Sequence, residues 1–182
     1  AIGYQALKML DAGTAGLNVA VGHQAGTAMT TGQQNTLVGG LAGDALTSGH
    51  YNVALGYGAL STEDAHGRNV AVGYKALNVQ DAGANAYNVA MGYQALVSSA
   101  GGNWNTALGT CALYTSLNYY NTAVGANAGK LQGTQAAKYN IYLGYNAGCN
   151  LTTGAGNVII GTIQPDSNTA NRQLKIAGYD GT

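Results

Sequence analysis

Aromatic side chains recur directly before a repeated asparagine, and exposed aromatic rings can hold other rings by stacking. This position carries Tyr51, Tyr87, Trp104, Tyr120 and Tyr139, the last four in consecutive copies of the repeat. Repeats that stack as strands, at about 4.8 Å, would place these four rings in one column. Such a column either packs on itself or faces solvent as a platform for sugar rings. We therefore take Tyr87, Trp104, Tyr120 and Tyr139 as candidate glycan-binding residues, with simple ring packing as the alternative.

A further set of tyrosines follows the repeat's glycine in three consecutive copies, at Tyr57, Tyr74 and Tyr93.

The titratable residues, in contrast, form no catalytic or metal-binding pattern. The three histidines occupy different repeat positions, with no second ligand at metal-binding spacing. Three aspartates each precede Ala in a loop, which indicates turn chemistry or, as the alternative, a sparse calcium row. These residues are His23, His50 and His66, and Asp11, Asp64 and Asp81.

An enzyme that cleaves glycans would need two carboxylates facing one groove. The adjacent Glu63 and Asp64 lie in one loop, which is poor geometry for that chemistry. The sequence therefore predicts a protein that is not an enzyme, without cofactor or bound metal.

One phrase, Asn-Val-Ala-Val-Gly at residues 18–22, returns along nearly the whole chain at spacings of 16 to 19 residues. A short fixed period is the signature of a solenoid. We predict an all-β fold, a β-solenoid or β-roll of about ten coils. The coils fill residues 1–165. The first coil is truncated, with only residues 1–3 left of its phrase, and residues 166–182 form a degenerate final coil or transition segment. Stacked asparagines would form a structural hydrogen-bond ladder: Asn18, Asn35, Asn52, Asn69, Asn88, Asn105, Asn121, Asn140 and Asn157.

The other positions of the phrase predict which side of the strand is buried. The second is always β-branched and the fourth always aliphatic or Met, so we expect both to point inward. The third is mostly Ala, and we expect it to form a small outer face that lies against another subunit. The invariant glycine either takes positive φ or avoids a clash with a neighbouring chain. An Ala three residues later is expected to start a second, shorter strand.

Composition narrows the class of protein. Of 182 residues only 8% are charged, and the seven acidic and seven basic residues are spread out. This excludes a nucleic-acid groove. No apolar run is long enough for membrane insertion. Low charge with many Asn, Thr, Gln and Tyr residues favours an extracellular fibre that self-associates.

The phrase at residues 121–125, and Gly-Tyr-Gln-Ala-Leu at 3–7 and 92–96, resemble the head repeats of YadA-type trimeric adhesins and the related repeats of bacteriophage tail fibres. Residues 167–178 resemble the tail-fibre segment that leads toward a C-terminal chaperone domain. The resemblance implies a parallel homotrimer that serves as a fibre shaft or adhesive head. It also implies location on a virion or cell surface, and attachment to host-surface glycans.

Two other functions stay open. The chain could be a self-assembling extracellular filament that stacks head to tail, because both ends read as cut coils without polar caps. An ice-binding solenoid is a minor alternative. Against it, only Thr36, Thr106 and Thr122 occupy the second phrase position, a row expected to point inward.

Overall fold

The computed structural model describes residues 1–11, 16–63, 65–80, 85–132 and 137–178. These residues form an all-β parallel solenoid of about nine turns, as the repeat predicts, and none of them is helical. Within these ranges there is accordingly no helix that could cross a membrane.

The nine complete copies of the phrase each contribute one short strand to a ten-stranded parallel sheet, whose strands lie in chain order, and residues 174–177 add the tenth strand. Equivalent phrase positions pair from coil to coil, as in Val19 with Thr36. A two-stranded sheet joins β7 and β9. The strands are β1 Val19–Val21, β2 Thr36–Val38, β3 Val53–Leu55, β4 Val70–Val72, β5 Val89–Met91, β6 Thr106–Leu108, β7 Thr115–Ser116, β8 Thr122–Val124, β9 Leu131–Gln132, β10 Ile141–Leu143, β11 Val158–Gly161 and β12 Leu174–Ala177.

The prediction that the second and fourth phrase positions point inward, and the third outward, is wrong. The middle residue of each phrase strand, usually Ala, is fully buried, and the larger residues on either side are partly or fully exposed. Alternation places the phrase asparagine on the same side as this Ala, and the asparagine must point inward to reach backbone groups. Leucines from the following turn, such as Leu77 and Leu96, then fill the narrow interior and leave room for little more than a methyl group.

Where the middle residue of a phrase strand is large, glycines in the neighbouring turns make room for it in the interior. Leu37 lies between two turn glycines, and a Cβ on Gly43 would come within 2.9 Å of its side chain. Tyr142 likewise replaces Ala between Gly129 and Gly148, where added Cβ atoms would lie 2.7 and 2.5 Å from its ring. Coils with Ala in the strand usually carry Leu at the turn position instead. The larger middle residues of the last coils, Tyr142 and Ile159, are therefore core residues.

The predicted second strand does not start at the Ala that follows the phrase glycine. Where the structure has one, in β7 and β9, it begins three residues after that Ala. The Ala that follows the phrase glycine by three residues lies in a run of turns. Non-glycine residues there take positive φ, for example Lys75 at 51° and Leu77 at 51°. Their backbone groups bond to the neighbouring coils, as when the Leu77 N–H donates to the Ala95 carbonyl at 3.0 Å. Tight curvature therefore excludes an extended strand at this position.

The phrase glycine meets both proposed requirements, with the clash arising inside one chain. Gly92 takes a φ of 138°, which side chains rarely adopt. A Cβ at Gly92 would lie 2.6 Å from the Gly109 carbonyl oxygen in the next coil. Close coil stacking at this corner therefore requires glycine.

The phrase asparagines form a continuous ladder of hydrogen bonds. Each Oδ1 accepts the backbone N–H of the asparagine in the next coil, at 2.8 to 3.1 Å. Most Nδ2 groups donate to a carbonyl in the return loop, as from Asn105 to Asn118 at 2.7 Å. Directly before β12 the backbone N–H of Gln173 takes the place of the asparagine N–H and donates to Asn157 Oδ1 at 3.0 Å.

The last described strand differs from the others because Lys175 replaces the inward Ala. Its ammonium group pairs with Asp166, and this contact lowers the pKa of that carboxyl below its ordinary value. An inward charge at an edge strand disfavours further strand addition. The β12 edge therefore carries a polar pair, whereas the sequence indicated coil ends without polar caps.

Candidate functional site

The residues that precede the phrase asparagine form an exposed column along the solenoid. It is here called the aromatic column because it contains Tyr51 and the four candidate residues Tyr87, Trp104, Tyr120 and Tyr139. Tyr87 stacks on Trp104 with ring centroids 4.1 Å apart, and Tyr120 stacks on Tyr139 at 5.1 Å. The four rings are between 36% and 60% exposed. Each takes positive φ at the start of its strand, which turns the side chain outward next to an inward asparagine. The column thus packs within pairs and also presents its rings to solvent.

Arg68 extends the aromatic column, and sequence reasoning missed it. Its guanidinium carbon lies 5.2 Å from the Tyr51 ring centroid and 5.6 Å from that of Tyr87, within cation–π range. The signal was available because Arg68 also directly precedes a phrase asparagine. Arginine at this position therefore lies in the column between the rings of the coils on either side.

The two stacked pairs are separate. Among the described residues no ring contact joins Trp104 to Tyr120, although these belong to consecutive coils. Tyr120 instead has a tilted neighbour in Tyr119, at 6.4 Å, and Lys138 lies over the Tyr119 ring at 6.0 Å. The column therefore presents two short platforms.

Beyond Tyr139 the aromatic column has a gap. The next coil carries Gly156 at the column position, and the coil after that carries Arg172. A cleft of about 460 Å³ opens here, lined by Tyr139, Ala155, Gly156, Asn171 and Arg172.

The tyrosines after the phrase glycine form a second column, at the opposite end of the strands. Tyr57 stacks on Tyr74 at 5.8 Å and Tyr74 on Tyr93 at 5.2 Å, nearly parallel in both cases. Lys75 lies over the Tyr74 ring at 5.5 Å. These rings are exposed as well.

Between the two columns lies the outer face of the ten-stranded sheet, formed by the second and fourth phrase positions. It carries no charged residue and, apart from three threonines, only aliphatic residues and one Met. Ten strands at about 4.8 Å make it roughly 43 Å long. Its rows are Val19, Thr36, Val53, Val70, Val89, Thr106, Thr122, Ile141, Val158 and Leu174, and Val21, Val38, Leu55, Val72, Met91, Leu108, Val124, Leu143, Ile160 and Ile176.

The titratable residues have local roles. His23 stacks on Tyr4, His50 Nδ1 accepts the Gln33 N–H at 3.0 Å, and His66 contacts the buried Glu63 at 3.0 Å. Within the part of the chain that the structure describes, no three His, Cys, Asp or Glu side chains gather as metal ligands. Asp64 and Asp81, named above as turn or calcium residues, lie outside the described residues.

Comparison with known proteins returns no relative. The chain matches no family model, and no curated protein and no solved structure is significantly similar to it.

Proposed function

We propose that this protein is a structural and adhesive fibre protein that self-associates along its length and presents its aromatic columns to surface glycans. The observation that carries the proposal is the uncharged and largely aliphatic outer face between two exposed aromatic columns. Soluble monomers rarely expose contiguous apolar patches larger than a few hundred Å², and larger patches mark interaction sites. The two rows lie about 7 Å apart and run for roughly 43 Å, so they form a contiguous strip of about 300 Å², the size of patch that often has a function.

The proposed partner for this face is a second and third copy of the same chain. Both rows are flat, uncharged and continuous from β1 to β12, so parallel copies would bury matching surfaces over their whole length. The resemblance to trimeric adhesins favours three copies in parallel. The Ala face cannot mediate this association, because it lies in the interior.

Substitution by Lys on the outer face is expected to abolish this association. Leu55 and Met91 are each 46% exposed, so Leu55→Lys with Met91→Lys should leave the coil folded and place unpaired charges in the interface. We expect native mass measurement to change from three chains to one, with the circular dichroism spectrum retained. Thr31→Lys, in an exposed return loop, is the matched control and should remain trimeric.

Negative-stain imaging of the unmodified protein gives the independent test. Discrete rods of three chains are expected. A compact monomer would refute self-association, and indefinite filaments would favour head-to-tail stacking instead.

Removal of rings from the aromatic column is expected to weaken glycan binding without disturbing assembly. Trp104→Ala with Tyr120→Ala removes one ring from each stacked pair. If each ring contributes on the order of 1 kcal/mol to the binding free energy, loss of two rings should weaken binding roughly 30-fold. The measurement is a glycan array followed by titration. Thr31→Lys is the control, and Tyr57→Ala with Tyr74→Ala tests the second column separately. Unchanged binding in the Trp104 and Tyr120 variant would show that the column only packs.

The two other functions have less support. Head-to-tail stacking requires an open edge, and the Lys175–Asp166 pair obstructs addition at β12. For ice binding, the second-position row does point outward, contrary to expectation. Only Thr36, Thr106 and Thr122 in it carry hydroxyls, among larger aliphatic residues that would displace water without ordering it.

A further inference from the structure

The gap in the aromatic column at Gly156 is a missing side chain in an otherwise complete coil. The Gly156 N–H donates to the Lys138 carbonyl at 2.9 Å, and the Arg172 N–H donates to the Ala155 carbonyl at 2.9 Å. Gly156 also has a φ of 72°, close to the 60° of Tyr139. The backbone therefore continues the column through this coil while the side chain is absent.

The size of the gap suits one ring. Tyr139 and Arg172 are two coils apart, or about 9.6 Å at strand spacing. If half of a van der Waals contact distance is subtracted from this separation at each wall, about 6 Å remains. This space is enough for one sugar ring but not for two. The 460 Å³ cleft lies within the usual range for small-molecule sites.

The walls of the gap are an aromatic ring and an arginine. Arg68 shows that a guanidinium at this column position reaches the rings of neighbouring coils. Arg172 makes no salt bridge with any described residue, and its Cγ lies 3.5 Å from where a Gly156 Cβ would stand. Asn171 is engaged within the protein, since its Oδ1 accepts the Ala155 N–H and its Nδ2 donates to the Thr169 carbonyl. Arg172 is thus the polar group left to recognise a ligand.

Local charge favours an anionic ligand. Residues 130–175 contain four basic residues, Lys130, Lys138, Arg172 and Lys175, and one acidic residue, Asp166, for a net charge of +3. Asp166 is already paired with Lys175. Arginine pairs with carboxylates through two parallel hydrogen bonds, a geometry that Lys cannot reproduce.

We infer that the Gly156 gap is a subsite for an acidic sugar residue, whose ring stacks on Tyr139 and whose carboxylate pairs with Arg172. This inference rests on the proposed glycan-binding function and names one subsite within it. It distinguishes this cleft from the Tyr87–Trp104 platform, where Arg68 lies in the column but already contacts the Tyr51 and Tyr87 rings and leaves no gap for a ligand ring.

The test compares methyl glucuronide with methyl glucoside, which differ only in the carboxylate, by NMR titration of the full chain. Preference for the glucuronide is expected, with at least a tenfold loss of affinity in Arg172→Gln. Gly156→Tyr should also abolish binding, because it fills the gap with the residue found at φ near 60° in other coils. Tyr51→Ala, in the same column but distant, should bind as the unmodified protein does.

Other outcomes overturn the inference. Equal binding of glucoside and glucuronide would remove the role of Arg172, and binding of benzoate without glucuronide would show an aromatic ligand instead. Unchanged glucuronide binding in Gly156→Tyr would place the ligand elsewhere. If the glycan array shows binding that depends on Trp104 and Tyr120 but the glucuronide does not bind, the subsite fails while the proposed function stands. If neither assay shows binding, both fail.

Discussion

Tyr142→Ala is expected to lower the free energy of unfolding by about 3–5 kcal/mol, the range for removal of a large aromatic residue from a packed core. Tyr142 is the largest fully buried side chain, and it lies between Gly129 and Gly148, which cannot fill the resulting cavity. Equilibrium denaturation followed by circular dichroism measures the loss. Tyr142→Leu should cost less, because Leu37 fills the equivalent space between two glycines.

Addition of Gly129→Leu and Gly148→Leu to Tyr142→Ala is expected to recover most of that stability. The combination restores the arrangement of the central coils, where Ala in the strand faces Leu in the turns. Leucine is compatible with the backbone, since Leu113 takes a φ of 47° and Gly148 one of 55°. Gly148→Leu alone should destabilise the protein, because its Cβ would lie 2.5 Å from the Tyr142 ring. Additive losses in the triple variant would refute volume compensation.

Asn105→Ala is expected to cost about 2–5 kcal/mol, because it leaves two buried backbone groups without partners. The Asn105 Oδ1 accepts the Asn121 N–H at 3.0 Å, and its Nδ2 donates to the Asn118 carbonyl at 2.7 Å. Asn105 is fully buried, so we expect that water does not replace the lost bonds. Denaturation by urea measures the change.

Asn18→Ala is the matched control for Asn105→Ala. Asn18 makes the same two kinds of bond, to the Asn35 N–H at 2.9 Å and the Gly32 carbonyl at 2.7 Å, but is only partly buried. Water can reach these groups, so the loss should be clearly smaller. Equal losses for Asn18→Ala and Asn105→Ala would show that burial of the ladder contributes nothing.

Much of the candidate site follows from the spacing of residues alone. Equivalent positions in a solenoid stack on one another, so four residues before consecutive phrase asparagines had to share one column. Arg68 belonged to the same set by position, although its side chain is not aromatic. The gap at Gly156 was also present in the sequence, yet a missing side chain has meaning only once its neighbours are known to face solvent.

The period of the phrase by itself determined the architecture: a parallel solenoid whose asparagines and glycines recur because each contacts its copy in the next coil. The sequence could not determine which strand face is buried. Period-two alternation separates the two faces but does not say which one points inward, and hydrophobicity indicated the wrong one. Only the tertiary structure decided this, because the interior beside the turn leucines has space for Ala, and because Asn must be enclosed to bridge the coils. The larger aliphatic residues were therefore left outside, on the face proposed to join the copies of this chain.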